Sequence, residues 1–386
     1  MRKALIIPFT IMAVAACVML NSALSPTQDF VTDKALETNS RISAMEAFDN
    51  IPLDELFTED PFRVTVIGNG DTEPVTAIPG LNQNNKITGA ASYAAFMDSK
   101  IDLSKVDLQL QTSILTDMIN TYQYGKDKIT LISGTGSGLK GDTSALEALV
   151  NKTGKTVSFM AIRLRDGASI GYNVDDFFQS CSTVKTPLTL YAAQLIDQGE
   201  LSYNDVFTYT DAAYISGSGV IKNYGTGARF KLKTLITYAI TESDNIAYQM
   251  LCINLGVSNY YKYLDELGCD VRPEDKSTNR YWPDSNARSS ALWWSQVYLF
   301  KNSGEVGSWY WNLFNIAPSR IDTALAHSKP CYTKSGSSSY CMHEAGIVMG
   351  DDPYLVVIFT SSSTASGNTE SYFYQVAREI DALISN

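Results

Sequence analysis

The sequence predicts an α+β protein: an antiparallel five-stranded sheet flanked by helices, with an inserted all-helical lobe, behind an uncharacterised N-terminal region. Three observations predict it. Two β-rich runs, Val157 to Leu164 and Ser169 to Asn173, open a long C-terminal segment, and three more, Cys331 to Lys334, His343 to Met349 and Tyr354 to Thr360, stand near its end. Between these groups, apolar residues recur at helical spacing. The chain then closes on an amphipathic helix with Phe373, Val376, Ile380 and Leu383 on one face. Strands at both ends of one segment are expected to meet in a single sheet, with terminal helices covering one face and the lobe against the other.

Taken in order, the 386-residue chain opens with Arg2 and Lys3 before the apolar run Ala4 to Leu20. That is the order of a secretory signal. Within it, Val14-Ala15-Ala16-Cys17 resembles a bacterial lipobox, in which Cys17 is lipidated. The alternative is an uncleaved N-terminal anchor, although the run falls just short of a comfortable membrane span. Both readings place the rest of the chain outside the cytoplasmic membrane, attached to it through the N-terminus. Residues 21–60 read as a tether and 61–142 as an accessory region of unknown fold. There Arg63 to Ile67 and Ile129 to Ile132 suggest strands, and Leu108 to Tyr122 a helix.

One motif in that region is a decoy. Gly136-Ser137-Gly138-Leu139-Lys140-Gly141 matches G-x-G-x-x-G, with a helical stretch (Ala145 to Val150) and a strand after it. The helix is short and no further β-α alternation follows, so a flexible linker is the better reading.

From residue 143 to 386 the organisation is clearer. Val157 to Leu164 is apolar on both faces, as a central strand is, and Asp166-Gly167 turns the chain into the second strand. Leu188, Tyr191, Leu195 and Ile196 mark a helix stopped by Gly199. Further helices are read at Phe230 to Ile240, Ile246 to Leu255, Asn259 to Leu267 and Ser290 to Phe300.

A hydrophobic fraction of 45% is ample for a packed core, and a net charge of −11 argues against nucleic acid as a partner. No cofactor is implied. Beyond Cys17 there are five cysteines, Cys181, Cys252, Cys269, Cys331 and Cys341, an odd number that leaves at least one outside any internal pair. Cys331 and Cys341 flank an expected hairpin and are the first candidate pair. There is no C-x-x-C, and His327 and His343 are the only histidines, a poor basis for a zinc site. Neither histidine neighbours a G-x-S-x-G elbow, which disfavours a Ser-His-Asp triad.

Three short stretches carry the chemistry. In Ser182-Thr183-Val184-Lys185 the serine and lysine fall three residues apart, on one face of a helix. A serine needs a base to become a nucleophile, and a lysine becomes one when burial and a second cation lower its pKa. Ser243-Asp244-Asn245 lies in the break between two helices, and Lys334-Ser335-Gly336 on an expected edge strand. Taken singly, Ser182, Ser243 and Asp244 also read as ordinary N-caps, and Lys185 as a solvated helix lysine.

In that order, FFQSCSTVK, ITESDNIAYQML and YTKSGSSS resemble the class A β-lactamases, whose fold is shared with penicillin-binding D,D-peptidases, and the resemblance runs from about residue 143 to the end. It implies Ser182 as nucleophile and Lys185 as its base. Ser243 would pass a proton to the departing nitrogen, and Asn245 would bind the substrate's acylamino group. Asp244 would cap the next helix. Lys334 and Ser335 would hold a substrate carboxylate, Gly336 would admit the substrate close to the backbone, and the N–H groups of Ser182 and Ser337 would form the oxyanion hole. The resemblance weakens after Leu267. No Glu-x-x-Leu-Asn appears there, and Glu274, Asp275 and Asp284 are the carboxylates available to activate water. Three functions follow: a β-lactam hydrolase, which class A-like motifs favour; a D-Ala-D-Ala carboxypeptidase acting on peptidoglycan; or a β-lactam sensor that stays acylated.

Overall fold

The computed structural model describes residues 108–135, 138–273, 281–361 and 369–385. The export signal, Cys17, the tether, the run Arg63 to Ile67, part of the glycine-rich decoy (Gly136, Ser137) and the carboxylates Glu274 and Asp275 lie outside the described residues.

The elements begin with α1 (Leu108–Thr121), β1 (Thr130–Ile132), α2 (Ser144–Val150), β2 (Val157–Arg163) and β3 (Ser169–Tyr172). A two-residue strand, β4 (Phe178–Gln179), leads through a 3-10 turn (Cys181–Val184) into α3 (Lys185–Asp197). The lobe adds a small ribbon of β5 (Val206–Thr208) and β6 (Arg229–Lys231), then α4 (Leu232–Thr241), α5 (Asn245–Leu255) and α6 (Val257–Glu266). After β7 (Asp284–Ser285), which pairs with β4, come α7 (Ala287–Phe300), α8 (Glu305–Ile316) and α9 (Arg320–Ala324). The chain ends with β8 (Cys331–Ser337), β9 (Met342–Val348), β10 (Tyr354–Thr360) and α10 (Thr369–Ile384).

The main sheet has the order β1-β3-β2-β10-β9-β8, and every neighbouring pair is antiparallel. It joins the first strands of the segment to the last, through β2 against β10. The sequence predicts a five-stranded sheet, and the main sheet has six strands. The extra one is β1, which pairs with the outer side of β3 and leaves Leu131 42% exposed, as befits a short edge strand. α1 packs on α7, so the fold recruits residues from before 143.

Every residue of β2, β9 and β10 is buried, which is why Val157 to Leu164 reads as apolar on both faces. Val157, Phe159 and Ala161, with Tyr354, Val356 and Ile358, form one core with Phe373, Val376, Ile380 and Leu383 of α10. The opposite face receives α7, which packs on β2, β9 and β10 with Trp293 and Trp294 fully buried.

Two differences bear on the site. The residues 305–316, to which the sequence reading gives no element, form α8, with Trp309, Tyr310, Leu313 and Phe314 buried at helical spacing. The helix expected to begin at Ser182 begins at Lys185 instead, after the 3-10 turn. Pro187 is therefore the third residue of α3, inside the first turn, where its missing N–H costs no internal hydrogen bond.

Candidate active site

The site is built from three breaks in regular structure. The first is the entry to α3. Cys181 takes φ +51, a left-handed conformation uncommon for a residue with a side chain, and the next residue is Ser182. Several bonds hold this turn. Ser180 Oγ donates to Pro283 O, Trp282 Nε1 donates to Cys181 O at 2.9 Å, and Thr183 Oγ1 donates to Ser180 O at 2.6 Å.

The second break separates α4 from α5. Ser243 has φ +51, and Asp244 caps α5 by accepting from Ala247 N at 2.9 Å. The other oxygen of Asp244 accepts from Val220 N (2.6 Å) and Ile221 N (2.8 Å), so one buried carboxylate ties the turn to the loop above it. Asn245 N donates to Ser218 O in the same loop.

The third is the end of β8. It crosses the 3-10 turn so closely that a Cβ on Gly336 would lie 2.7 Å from Ser182 N and 2.9 Å from Thr183 N. Both obstacles are backbone and cannot rotate away. Gly336→Ala is therefore expected to destabilise the fold by about 1–3 kcal/mol, the usual range for overpacking. Denaturant unfolding measures this, and a variant as stable as the parent would contradict the close crossing.

These breaks bring the three sequence motifs together, the third through Gly336 against the Ser182 backbone and the first two around one amine. Lys185 is fully buried, and its Nζ lies 3.0 Å from Ser182 Oγ, 3.2 Å from Ser243 Oγ and 2.7 Å from Asn245 Oδ1, with Ser243 O as a fourth neighbour. Burial, seconded by the charge of Lys334, pushes its pKa well below the ordinary lysine value. A neutral amine suits these partners: two N–H bonds reach Ser243 O and Asn245 Oδ1, and the lone pair is left for the Ser182 hydroxyl. Asn245 Nδ2 donates to Ser216 O at 2.9 Å, which leaves it a second N–H.

Lys334 is also buried, and its pKa falls to about 7, mainly through desolvation; Glu344 opposes that shift and Arg320 adds to it. Ser335 Oγ donates to Pro318 O, and Ser337 is the exposed last residue of β8. Two residues that the motifs do not reveal organise this side. Buried Glu344, opposite Ser335 across the ladder, accepts from Ser319 Oγ (2.5 Å), Thr333 Oγ1 (2.6 Å) and Arg320 N (2.8 Å). Arg320 in turn reaches Ser337 Oγ with Nη2 at 3.3 Å, adding a second cation beside Lys334. No local pattern marks either residue. The available hint is the Pro318-Ser319 helix start just before β8.

α8 braces the whole arrangement. Tyr310 OH donates to Thr186 O in α3 at 2.8 Å, and the ring of Trp311 stacks on Tyr332 of β8 with centroids 4.1 Å apart.

The carboxylates expected to activate water fare differently. Asp284 sits in β7, bridged through its backbone to Arg272, and burial raises its pKa against the pull of that arginine. Among the described residues, no carboxylate hydrogen-bonds Ser182 or Lys185. Lys185 is faced instead by the ring of Trp282, 5.8 Å from Nζ, which packs on Tyr248 at 4.3 Å.

The cysteine expectation needs correction. Cys331 begins β8 opposite Val348, whereas Cys341 stands at the other end of the hairpin, beside Met342 and Ser337. A whole strand length separates them, so they do not pair. Cys341 instead faces Cys181, with the sulfurs 2.8 Å apart.

Known proteins share this arrangement of sheet and lobe. PBP-A is similar with a TM-score of 0.57 at 15% identity, covering 62% of this chain and 93% of its own. A point mutant of PBP-A has been solved as an acyl-enzyme with penicillin G. The β-lactamase from Sphaerobacter thermophilus gives a TM-score of 0.55 at 22% identity, covering 63% of this chain and 98% of that one. An ancestral class A β-lactamase gives 0.53 at 18%, covering 62% and 98%. No curated protein matches the chain. At these identities the likeness speaks for the fold. Residues 143–383, well over half of the sequence, match a family described as the beta-lactamase enzyme family, and the chain belongs to it.

Proposed function

We propose that the chain is an acyl-serine hydrolase that opens β-lactams through an ester on Ser182 and releases the product slowly. The observation that carries this reading is Lys185 Nζ, buried and within 3.2 Å of both Ser182 Oγ and Ser243 Oγ. The substrate carboxylate binds at Lys334 and Ser335, and its carbonyl oxygen points to the N–H groups of Ser182 and Ser337. The Lys185 amine takes the Ser182 proton as Oγ attacks the carbonyl carbon, and the N–H pair stabilises the oxyanion. Lys185 and Ser243 then relay the proton to the ring nitrogen, the C–N bond breaks, and the acyl-serine remains.

Release needs an activated water. With Trp282 facing Lys185 and no Glu-x-x-Leu-Asn after Leu267, that step is the slow one. The same fact favours a second reading, a D-Ala-D-Ala carboxypeptidase that β-lactams inhibit, since both substrates carry a carboxylate beside the scissile amide. A permanently acylated sensor is the third. A chromogenic cephalosporin followed by absorbance and intact mass separates them. Continued colour release after the first equivalent supports hydrolysis, whereas a lasting adduct without turnover refutes it. Release of D-alanine from a peptide ending in D-Ala-D-Ala then distinguishes peptidase from sensor.

The charge state of Lys334 predicts a pH dependence. Its ammonium attracts the carboxylate and its neutral amine does not, so with a pKa of about 7 acylation is expected to fall as pH rises through that value. Esters lacking the carboxylate should show no such fall. Lys334→Ala should remove about 1.5–3 kcal/mol of transition-state binding, roughly 10- to 150-fold in kcat/KM, for carboxylate-bearing substrates. An equal loss on carboxylate-free esters would count against the role.

The proposal includes an extracytoplasmic location, held to the bacterial membrane at Cys17, because the N-terminal pattern is that of an exported lipoprotein. Cys17→Ser is expected to move the protein from the membrane to the soluble fraction, and unchanged partition would refute lipid anchoring at that residue.

A further inference from the structure

We propose that Cys181 and Cys341 form a disulfide that fastens the nucleophile turn to the β8–β9 hairpin. Both are buried thiols, at 8% and 5% exposure, with their sulfurs 2.8 Å apart. Cys181 precedes Ser182 directly, and Cys341 closes the hairpin whose other strand carries Lys334, Ser335 and Gly336.

A metal site is the competing use of these atoms, because Cys181, Cys341 and His343 offer ligand atoms within 4.8 Å of one another. Two facts favour the cross-link. Thiolates sharing a tetrahedral zinc at about 2.3 Å each would stand about 3.8 Å apart, well beyond the observed gap. His343 has also committed both ring nitrogens to backbone: Nε2 donates to Gln179 O at 2.9 Å, and Nδ1 accepts from Thr360 N at 3.2 Å. A metal would have to break one of these bonds, whereas a bond between the sulfurs breaks neither.

The chemistry balances with a small-molecule disulfide, such as oxidised glutathione, as oxidant. The hydrogen bond from Cys181 favours the Cys341 thiolate. That thiolate attacks one sulfur of the oxidant, whose S–S bond breaks and expels a thiolate. Cys181 then loses its proton to solvent and attacks Cys341 Sγ, expelling the second thiolate. Two protein thiols lose two electrons, and the oxidant leaves as two thiols. Ser339 and Tyr340 at the hairpin tip are exposed, which gives the oxidant an approach when the tip opens.

The link would hold Cys181 in its left-handed conformation and fix the spacing between Ser182 N and the strand that crosses it. It constrains the anion pocket without touching substrate, so these cysteines are positioning residues. The cross-link does not depend on the function proposed above. Only its effect on acylation does.

The test treats the full chain with oxidised glutathione or with a reductant, alkylates the free thiols, and maps the peptides by mass. Expected is a Cys181–Cys341 linked peptide with Cys252, Cys269 and Cys331 alkylated. The oxidised protein should melt several degrees above the reduced form, and the gap should vanish in Cys341→Ser, or in Cys341→Ala if the serine variant folds poorly. Acylation by a fluorescent penicillin should slow several-fold on reduction of the parent and not of the variant. Full alkylation of both cysteines after oxidation overturns the proposal. So does a link to Cys331, or bound zinc whose removal by a chelator frees the thiols. A linked protein acylating at the same rate as the reduced one overturns the positioning role. No acylation in either form instead sinks the acyl-serine reading, while the mass map and melting still decide the link.

Discussion

Ser182→Ala is expected to abolish the covalent adduct with β-lactams and to lower kcat/KM by about a million-fold, the order of loss when an acyl-serine enzyme is stripped of its nucleophile. The expectation rests on the hydroxyl standing 3.0 Å from a buried amine whose pKa burial depresses. The substitution removes one oxygen from a partly buried position on a 3-10 turn whose other bonds are made by Ser180, Trp282 and Thr183, so the fold should persist. Intact mass after incubation with penicillin reads the outcome. An adduct that survives would move the nucleophile elsewhere.

Lys185→Met carries the second large effect. The thioether chain fills much of the same buried space but offers no basic lone pair, and general-base assistance is worth roughly 10²- to 10⁴-fold. Acylation should slow by that amount while binding of the substrate carboxylate at Lys334 is retained, so the loss should appear in the acylation rate constant more than in affinity. A rate within a few-fold of the parent would remove Lys185 from the proton path. The change also deletes a buried amine whose charged form is already disfavoured, so stability should not fall steeply.

Much of this molecule is legible in local sequence, and the rest depends on long-range contacts. The strands β2 and β10 announce themselves by apolar residues on both faces, and α10 by Phe373, Val376, Ile380 and Leu383, because burial alone dictates those patterns. Ser182 and Lys185 are neighbours through three residues of chain, so their contact is local. Their meeting with Ser243 and Lys334 is not, and the motifs reach it only through resemblance. Arg320 and Glu344 stay hidden because their partners lie 17 and 25 residues away on other elements. α8 escapes because five aromatic or aliphatic residues crowd between Trp309 and Phe314 and blur the helical period. Cys331 and Cys341 mislead for a geometric reason: closeness in sequence along an extended strand is distance in space.

The aromatic helix α8 has an evolutionary consequence. Trp311 leans on Tyr332 of β8, the strand that carries Lys334 and Ser335, while Tyr310 grips α3, the helix that opens on Lys185. Resizing either ring would change the spacing between β8 and α3 from behind. Under the proposed function, adaptation toward bulkier compounds accumulates there and leaves Ser182, Lys185 and Lys334 unchanged.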